Sequence, residues 1–438
     1  MSWDVALAGG VALLIGLLII GVPIFVSFLI LNITGVLVLF GDAGFGLLAN
    51  SIYSSATYGA LTAVPLFIVM GELLFRSGAM EVLFDSLDRL VGRVRGRQFV
   101  LCILLSAILG ALSGAAMAVA GLLGRSLYPT MLQRGYDPKL SAGTILAGAS
   151  LDPIIPPSVL AILIATIAQI STGKLLIAGI VPGIFLTVMF LGYVFIRLKF
   201  NPKLSPDIDA EVLAQHKGGA IVAVLRMIPS LFIFFLVMGL VMFGIATPTE
   251  AAATGVLGSV ILAASYRKLS LDMIKEALTA GVRVSSLLLI IMCSAVMFSQ
   301  LLTFTGAPQA LGELVAHLQL SSWLMLTCMI ALPFVLFMFL DQVAIMLVLI
   351  PIYKPILLLY KFDEIWFYTL FLIVATVGGI SPPFGYTLFA FKSAAPQATM
   401  AEIFSAAWPF VWLIMLGLVL MVLFPPIITA LPALLDGR

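Results

Sequence analysis

Long apolar runs alternate with short polar intervals along the whole chain, and this pattern sets the expected architecture. A membrane-crossing helix needs about 20 mostly apolar residues, and Gly or Pro inside one is tolerated where neighbouring protein satisfies the backbone. Full crossings are predicted near residues 5–21, 22–40, 61–77, 141–170 and 175–198, and again near 221–245, 247–266, 284–305, 365–391 and 404–425. Two further apolar stretches, 99–125 and 321–352, carry a break near the middle: Gly110-Ala111-Leu112-Ser113-Gly114 and Phe339-Leu340-Asp341-Gln342. Each is read as a re-entrant hairpin that returns to the side it came from. Residues 79–97 and 307–319, just ahead of the hairpins, are amphipathic and are expected to lie along the interface.

The basic residues give this topology a direction, because cytoplasmic loops retain Lys and Arg. With residues 76–97 inside, carrying Arg76, Arg89, Arg93, Arg95 and Arg97, alternation assigns every other loop. Of the 22 Lys and Arg, all but Lys174, Lys354, Lys361 and Arg438 then fall on the cytoplasmic side. Counting either hairpin as a single crossing would invert the later loops and destroy the bias. Both termini are expected outside. Met1-Ser2-Trp3-Asp4 lacks the basic region of a cleaved signal, so the first apolar stretch is expected to stay as a span.

The two halves echo one another. Pro156-Pro157 returns as Pro382-Pro383, 226 residues later; Tyr136-Asp137-Pro138 matches Phe362-Asp363-Glu364, and the break at Ser113 corresponds to Asp341. Five full crossings per half is an odd number, so the second copy sits upside down relative to the first. The fold class read from this is an all-α polytopic membrane protein with an inverted repeat of about five spans and one hairpin per half. Residues 1–200 form the first repeat, 201–220 a cytoplasmic linker and 221–438 the second repeat. Inverted repeats belong to secondary transporters, which bind substrate and ions at mid-membrane between discontinuous helices.

Composition closes off other classes. The 438 residues are 62% apolar and 10% charged, whereas soluble domains run at about 45 to 50% apolar and about 25% charged. A soluble enzyme is excluded. A net charge of +2 without a basic patch gives no reason to expect nucleic acid. Cys102, Cys293 and Cys328 stand singly in apolar runs and read as buried inert thiols, and His216 and His317 are too isolated for a metal site.

Candidate chemistry concentrates at the breaks. Proline supplies no amide donor and leaves carbonyl oxygens of the preceding turn free, and hard cations take such oxygens as ligands. The tip at Ser113 and Gly114 is expected to face Asp152-Pro153-Ile154-Ile155-Pro156-Pro157-Ser158. Asp341 and Gln342 are expected to face Gly378-Gly379-Ile380-Ser381-Pro382-Pro383. A carboxylate within hydrocarbon costs about 3 kcal/mol and marks a pathway or a partner, so Asp152 and Asp341 hold a cation or exchange a proton. Glu72 near a span end reads as a structural hydrogen bond, Arg125 and Lys392 as interfacial side chains, and Thr247-Pro248-Thr249-Glu250 as a helix cap.

These motifs, with Gly135-Tyr136-Asp137-Pro138, Ala178-Gly179-Ile180-Val181-Pro182-Gly183, Met338-Phe339-Leu340-Asp341 and Ser381-Pro382-Pro383-Phe384-Gly385, resemble the large membrane subunit of the tripartite ATP-independent periplasmic (TRAP) transporters. The resemblance spans nearly the whole chain in order. It implies a sodium-driven elevator in a bacterial inner membrane, with a transport domain built on the hairpins, a small membrane subunit as partner, and a periplasmic binding protein that delivers the solute, commonly an organic acid. It implies no covalent chemistry, no cofactor beyond sodium as coupling ion, and no nucleic-acid partner. One cation site is implied at Ser113, Gly114, Asp152, Ile155 and Pro157, mostly through main-chain oxygens, and a second at Asp341, Gly378, Ser381 and Pro383. This chain carries Asp152 where the family usually has Gly, and Ala115 where it usually has Ser. An added carboxylate there would tighten the site, titrate, or balance a positive group on the solute. Other readings are a stand-alone sodium- or proton-coupled anion symporter of the same design, and an embedded enzyme using Asp152 and Asp341 as acid and base.

Overall fold

The computed structural model describes residues 3–57, 59–92, 94–113, 116–206 and 220–436. Among them every regular element is helical. Gly114, Ala115, Arg93, His216 and most of the linker expected at 201–220 lie outside the described residues.

Two helices open the chain, α1 (Trp3–Ile19) and α2 (Ile24–Phe40). Gly21 between them sits at φ +85°, the left-handed conformation that ends a helix at little cost only for glycine. After α3 (Phe45–Ala56) come α4 (Ala63–Arg76) and α5 (Ala79–Val91). On α5 the residues Met80, Leu83 and Leu87 are buried while Glu81, Asp85 and Arg89 face outward, as its amphipathic pattern requires. Arg97, at the start of α6 (Arg97–Ser113), holds both carboxylate oxygens of Asp88 of α5 through Nε and Nη2.

The stretch expected as the first hairpin is two helices, α6 and α7 (Ala116–Gln133), packed on each other. The next predicted crossing is divided into α8 (Pro138–Ala149) and α9 (Val159–Ala168) around an irregular segment at 150–158. Asp137 caps α8 by accepting the Leu140 amide at 2.7 Å, and Ser158 caps α9 by accepting the Ala161 amide at 3.1 Å. Two more helices, α10 (Thr172–Ala178) and α11 (Ile180–Phe200), complete this half.

The second half runs through α12 (Ala220–Met242), α13 (Pro248–Ser265), α14 (Leu271–Phe304) and α15 (Ala307–His317). Thr247 and Glu250 form the expected cap of α13, each side chain accepting the other's backbone amide. The second hairpin is α16 (Ser322–Phe337) and α17 (Gln342–Tyr360), again packed together. A second divided crossing follows as α18 (Glu364–Ile380) and α19 (Tyr386–Ala394), then α20 (Met400–Leu423) and α21 (Pro426–Asp436). Asp363 caps α18 as Asp137 caps α8, accepting the Trp366 amide at 2.7 Å.

The helices pack around two neighbouring centres that share part of their core. The hairpins, divided crossings, α10, α11 and α20 lie around one continuous apolar core that also takes in faces of α4, α5, α12 and α13; within it Tyr128 and Phe391 meet edge to face at 5.1 Å and Phe190 and Phe410 at 5.5 Å. Close approach is built on small residues: a Cβ on Gly143 would lie 2.8 Å from the Ala406 carbonyl oxygen. The second centre holds α4 between α13 and α14, with Gly255 against Met70 and Gly281 against Val69. Arg76 of α4 bonds Glu72 at 3.0 Å and also reaches Glu276 of α14.

Three expectations need correction. The sequence reading left residues 45–56 unassigned, yet they form α3, whose Ser51 is buried and bonds Gln300 of α14. The crossing expected from 284 begins thirteen residues earlier at Leu271, because Ser270 caps a charged first turn that an apolar run cannot register. Of the cysteines only Cys102 is fully buried; Cys293 is half-buried and Cys328 exposed, since α16 presents that face outward.

Candidate functional site

The start of α7 and the turn between α16 and α17 face the divided crossings, and one cavity of about 430 Å³ opens between them. Ala116, Met117, Asp341, Gln342 and Val343 supply its hairpin wall; Asp152, Pro153, Ser158 and Tyr386 come from the divided crossings and their breaks. Ile68 and Glu72 of α4 and Ala280, Val284 and Leu288 of α14 close the opposite side. The cavity therefore lies where the hairpins and divided crossings meet α4 and α14.

The first tip is docked by Asp152. Its Oδ2 accepts the Ala116 amide at 2.9 Å, at the start of α7 where the first amides of a helix lack intrahelical partners. Contact is close on the other side too: a Cβ on Gly110 would sit 3.1 Å from Asp152 Cα. Asp152 is 5% exposed, and its Oδ1 has no hydrogen-bond partner among the described residues.

The second tip is docked by Gln342, whose Nε2 donates to the Ala375 carbonyl while its Oε1 accepts from Tyr386 Oη at 3.3 Å. Asp341 caps α17, accepting the Val343 amide at 2.8 Å and the Ala344 amide at 3.2 Å through Oδ1. Here glycine is on the crossing instead of the hairpin: a Cβ on Gly378 would lie 2.6 Å from Phe337 Cβ and 2.8 Å from its carbonyl oxygen. Each tip thus meets its crossing at one glycine, carried by opposite partners.

The breaks free main-chain oxygens. Pro156 and Pro157 have no N–H, so the carbonyls of Asp152 and Pro153 lose the donors that a continuous helix would offer four residues on; Pro382 and Pro383 do the same to Gly378 and Gly379. The Pro156–Pro157 and Pro382–Pro383 bonds are both cis. Ser381 Oγ is already committed to the Val377 carbonyl at 2.7 Å, and the Ser381 carbonyl accepts the Gly385 amide at 2.9 Å. Such an arrangement can hold a small hard cation among neutral oxygens, with carboxylates close by.

Of the expected site residues, Asp152 and Asp341 meet on the cavity wall. Ile155, Pro157, Ser381 and Pro383 lie in the breaks behind that wall, Ile155 with its side chain against Gly183, and Gly378 lies in the last turn of α18. Ser113 ends α6, and Gly114 falls outside the described residues. Glu72 keeps its expected structural bond, to Arg76, and also borders the cavity. Lys392 does not snorkel freely but binds the Pro396 and Ala398 carbonyls at 2.9 and 2.8 Å.

A sequence profile of the family described as the DctM component of the tripartite ATP-independent periplasmic transporters matches residues 11–427. The chain belongs to this family. This TRAP large permease is a multi-pass inner-membrane transport protein and not an enzyme. It is similar to the C4-dicarboxylate TRAP transporter large permease protein DctM of Pseudomonas aeruginosa, at 29% identity over 88% of the chain and 89% of that protein. It is 28% identical to the ectoine TRAP transporter large permease protein TeaC of Halomonas elongata, over 95% and 96% respectively. Identity to the sialic acid TRAP transporter permease protein SiaT of Haemophilus influenzae is 26% over 88% of the chain and 61% of that longer relative. The solved structure of MtrF from Neisseria gonorrhoeae shares the fold, with a TM-score of 0.63 at 13% identity over 87% of the permease and 84% of that chain.

Sequence reasoning missed Tyr386. It follows the second break directly, and its ring packs where a Cβ on Gly379 would be, 3.0 Å from the hydroxyl. A lone tyrosine at the start of a helix carries no pattern; only the fold shows that its hydroxyl reaches a hairpin.

Proposed function

We propose that this TRAP permease imports a small organic acid, delivered by a periplasmic binding protein, by coupling its passage to sodium entering down its gradient. The observation that carries the reading is the convergence of two hairpin tips and two proline-broken crossings on one cavity, with main-chain oxygens freed in each break. Sodium would be held by these oxygens in two cages, one at Ser113, Gly114, Asp152, Ile155 and Pro157, the other at Asp341, Gly378, Ser381 and Pro383. The solute would occupy the cavity between them. Relatives named for C4-dicarboxylates and sialic acid support an acid as cargo, and membership of a tripartite family favours a partnered permease over a stand-alone carrier.

In this reading the hairpin group is the moving body and the group around α4 and α14 the scaffold, completed by the small membrane subunit. The cavity at their boundary supports that division, because sliding one group past the other would carry the site across the bilayer. The halves are inverted copies, both termini are periplasmic, and residues 201–220 are the cytoplasmic link. The deciding experiment is uptake into proteoliposomes containing the permease, its small subunit and the cognate binding protein. Uptake should require an inward sodium gradient and the binding protein together; uptake driven equally well by a potassium gradient would overturn sodium coupling.

A further inference from the structure

A second and larger cavity, of about 810 Å³, takes no part in the scheme above. Its walls come from α3, the end of α9, α14, α15 and α17. Three of these helices line both cavities, one station after the other. On α14 the first cavity takes Ala280, Val284 and Leu288, and the second takes Ser299, Gln300 and Thr303. From Leu288 to Ser299 is about 17 Å along a helix. Likewise α9 passes from Leu163 in the first to Ile167 in the second, and α17 from Val343 to Pro351. Between the stations, Ile291, Ala295 and Phe298 of α14 share one buried apolar cluster with Ala344 and Leu347 of α17. The cavities are therefore the two ends of one seam, parted by an apolar barrier.

The two ends differ in charge. Among the described residues, Glu72, Asp152 and Asp341 line the first cavity without a Lys or Arg, and Lys354 lines the second without an Asp or Glu. Lys354 Nζ donates to the Ala168 carbonyl, at the end of α9, at 2.7 Å. That bond uses one of three ammonium hydrogens, and no carboxylate among the described residues lies within ion-pairing distance. Neutral amides share the wall. Gln300 accepts the Ser51 hydroxyl through Oε1, which leaves its Nε2 donors uncommitted among the described residues, and Asn50, Gln169 and Gln309 add further side-chain amides. A single cation among amide donors matches a carboxylate, whose two oxygens only accept. An acid entering the first cavity directly would meet three like charges, whereas here it meets an opposite one.

We infer that the second cavity is an outer vestibule in which a carboxylate of the incoming acid binds Lys354, the surrounding amides taking its remaining lone pairs, before the seam opens toward the first cavity. This rests on the transport reading above, both for the acid as cargo and for the side on which Lys354 lies. A lysine that merely capped α9 would be replaceable by glutamine, which can still donate to the Ala168 carbonyl but carries no charge.

The test uses the permease with its small subunit, with Cys293 and Cys328 replaced by alanine and one new cysteine, Thr303→Cys in the second cavity or Ala280→Cys in the first. Labelling rates are compared for anionic sulfonatoethyl and cationic trimethylammonioethyl methanethiosulfonate. Position 303 should favour the anionic reagent relative to position 280. Lys354→Gln should cut that preference about fivefold, as should salt at about 1 M, where the screening length falls to about 3 Å. Succinate should slow anionic labelling at position 303, and its neutral diamide should not. Equal preference at the two positions, a preference untouched by Lys354→Gln, or a diamide as protective as succinate would overturn the inference. So would the absence of protection by succinate, or protection by solute-free binding protein or phosphatidylglycerol in its place. If Lys354→Gln does not assemble with the small subunit, the salt dependence and the succinate protection decide. Labelling needs no ion gradient, so uptake indifferent to sodium would sink the coupling scheme and leave this result readable.

Discussion

Asp341 has two separable duties, and the choice of substitution distinguishes them. As a cap it offers Oδ1 to the Val343 and Ala344 amides; as a charge it serves the cage proposed for the second break. Asparagine caps a helix about as well as aspartate, whereas alanine costs about 1 kcal/mol. Asp341→Asn should therefore leave thermal stability near that of the wild type yet abolish sodium-driven uptake, and Asp341→Ala should lose both. Wild-type uptake by Asp341→Asn would remove the charge from the site. Gly378 makes a complementary case. Its missing Cβ admits Phe337 at a separation no side chain allows, so Gly378→Ala should destabilise the permease by about 1 to 3 kcal/mol through overpacking. A melting temperature unchanged by that substitution would show that the hairpin tip yields freely.

At the scale of elements the breaks are held open from outside as well as by proline. Gly179, where α10 passes into α11, faces the first break so closely that a Cβ would lie 2.2 Å from the Ile154 carbonyl oxygen, and Gly183 is filled by the Ile155 side chain. Backbone cannot yield as a flexible side chain does, so Gly179→Ala should displace the break and cut uptake more than tenfold, while Gly192→Ala, in open space on the same helix, should do nothing. Equal uptake by the two variants would mean that the break keeps its shape without this buttress. The elements themselves were largely legible: a helix pair at each mid-run break, the divided crossings and the Thr247–Glu250 cap follow from apolar length, proline position and N-cap chemistry, whereas Asp137 and Asp363, noticed only as matching positions of the two halves, proved to be caps. What escaped was α3, because Asn50, Ser51, Ser54 and Ser55 read as a polar loop. Its Ser51 is buried against Gln300 and Met297. A helix whose polar face is satisfied by another helix gives no hydrophobic signature. Tyr386 escaped for the same reason, since its pairing with Gln342 joins residues 44 positions apart and exists only once the helices have docked.

For the whole molecule, the charge distribution and the helix order make one joint claim about direction. If residues 76–97 are cytoplasmic and both hairpins re-enter, Lys203 lies inside, whereas Lys361, between the second hairpin and its divided crossing, lies outside. Lys203 follows α11, and Lys361 adopts φ +53° at the end of α17, so each marks a turn and not a span. Single cysteines placed at 203 and 361 test this in a background where Cys293 and Cys328, the incompletely buried thiols, are replaced by alanine. A membrane-impermeant maleimide added to intact cells should label position 361 and spare position 203 until the membrane is opened. Two apolar stretches that both crossed would leave Lys361 outside but would move Lys203 there as well, together with Lys268 between α13 and α14, which would then lie on the opposite face from Arg76. The Arg76–Glu276 contact already ties the end of α4 to the start of α14. A cysteine at Lys268 labelled from the same side as one at Arg89 would therefore fix the first hairpin as re-entrant, and labelling from opposite sides would require the chain to pass straight through it.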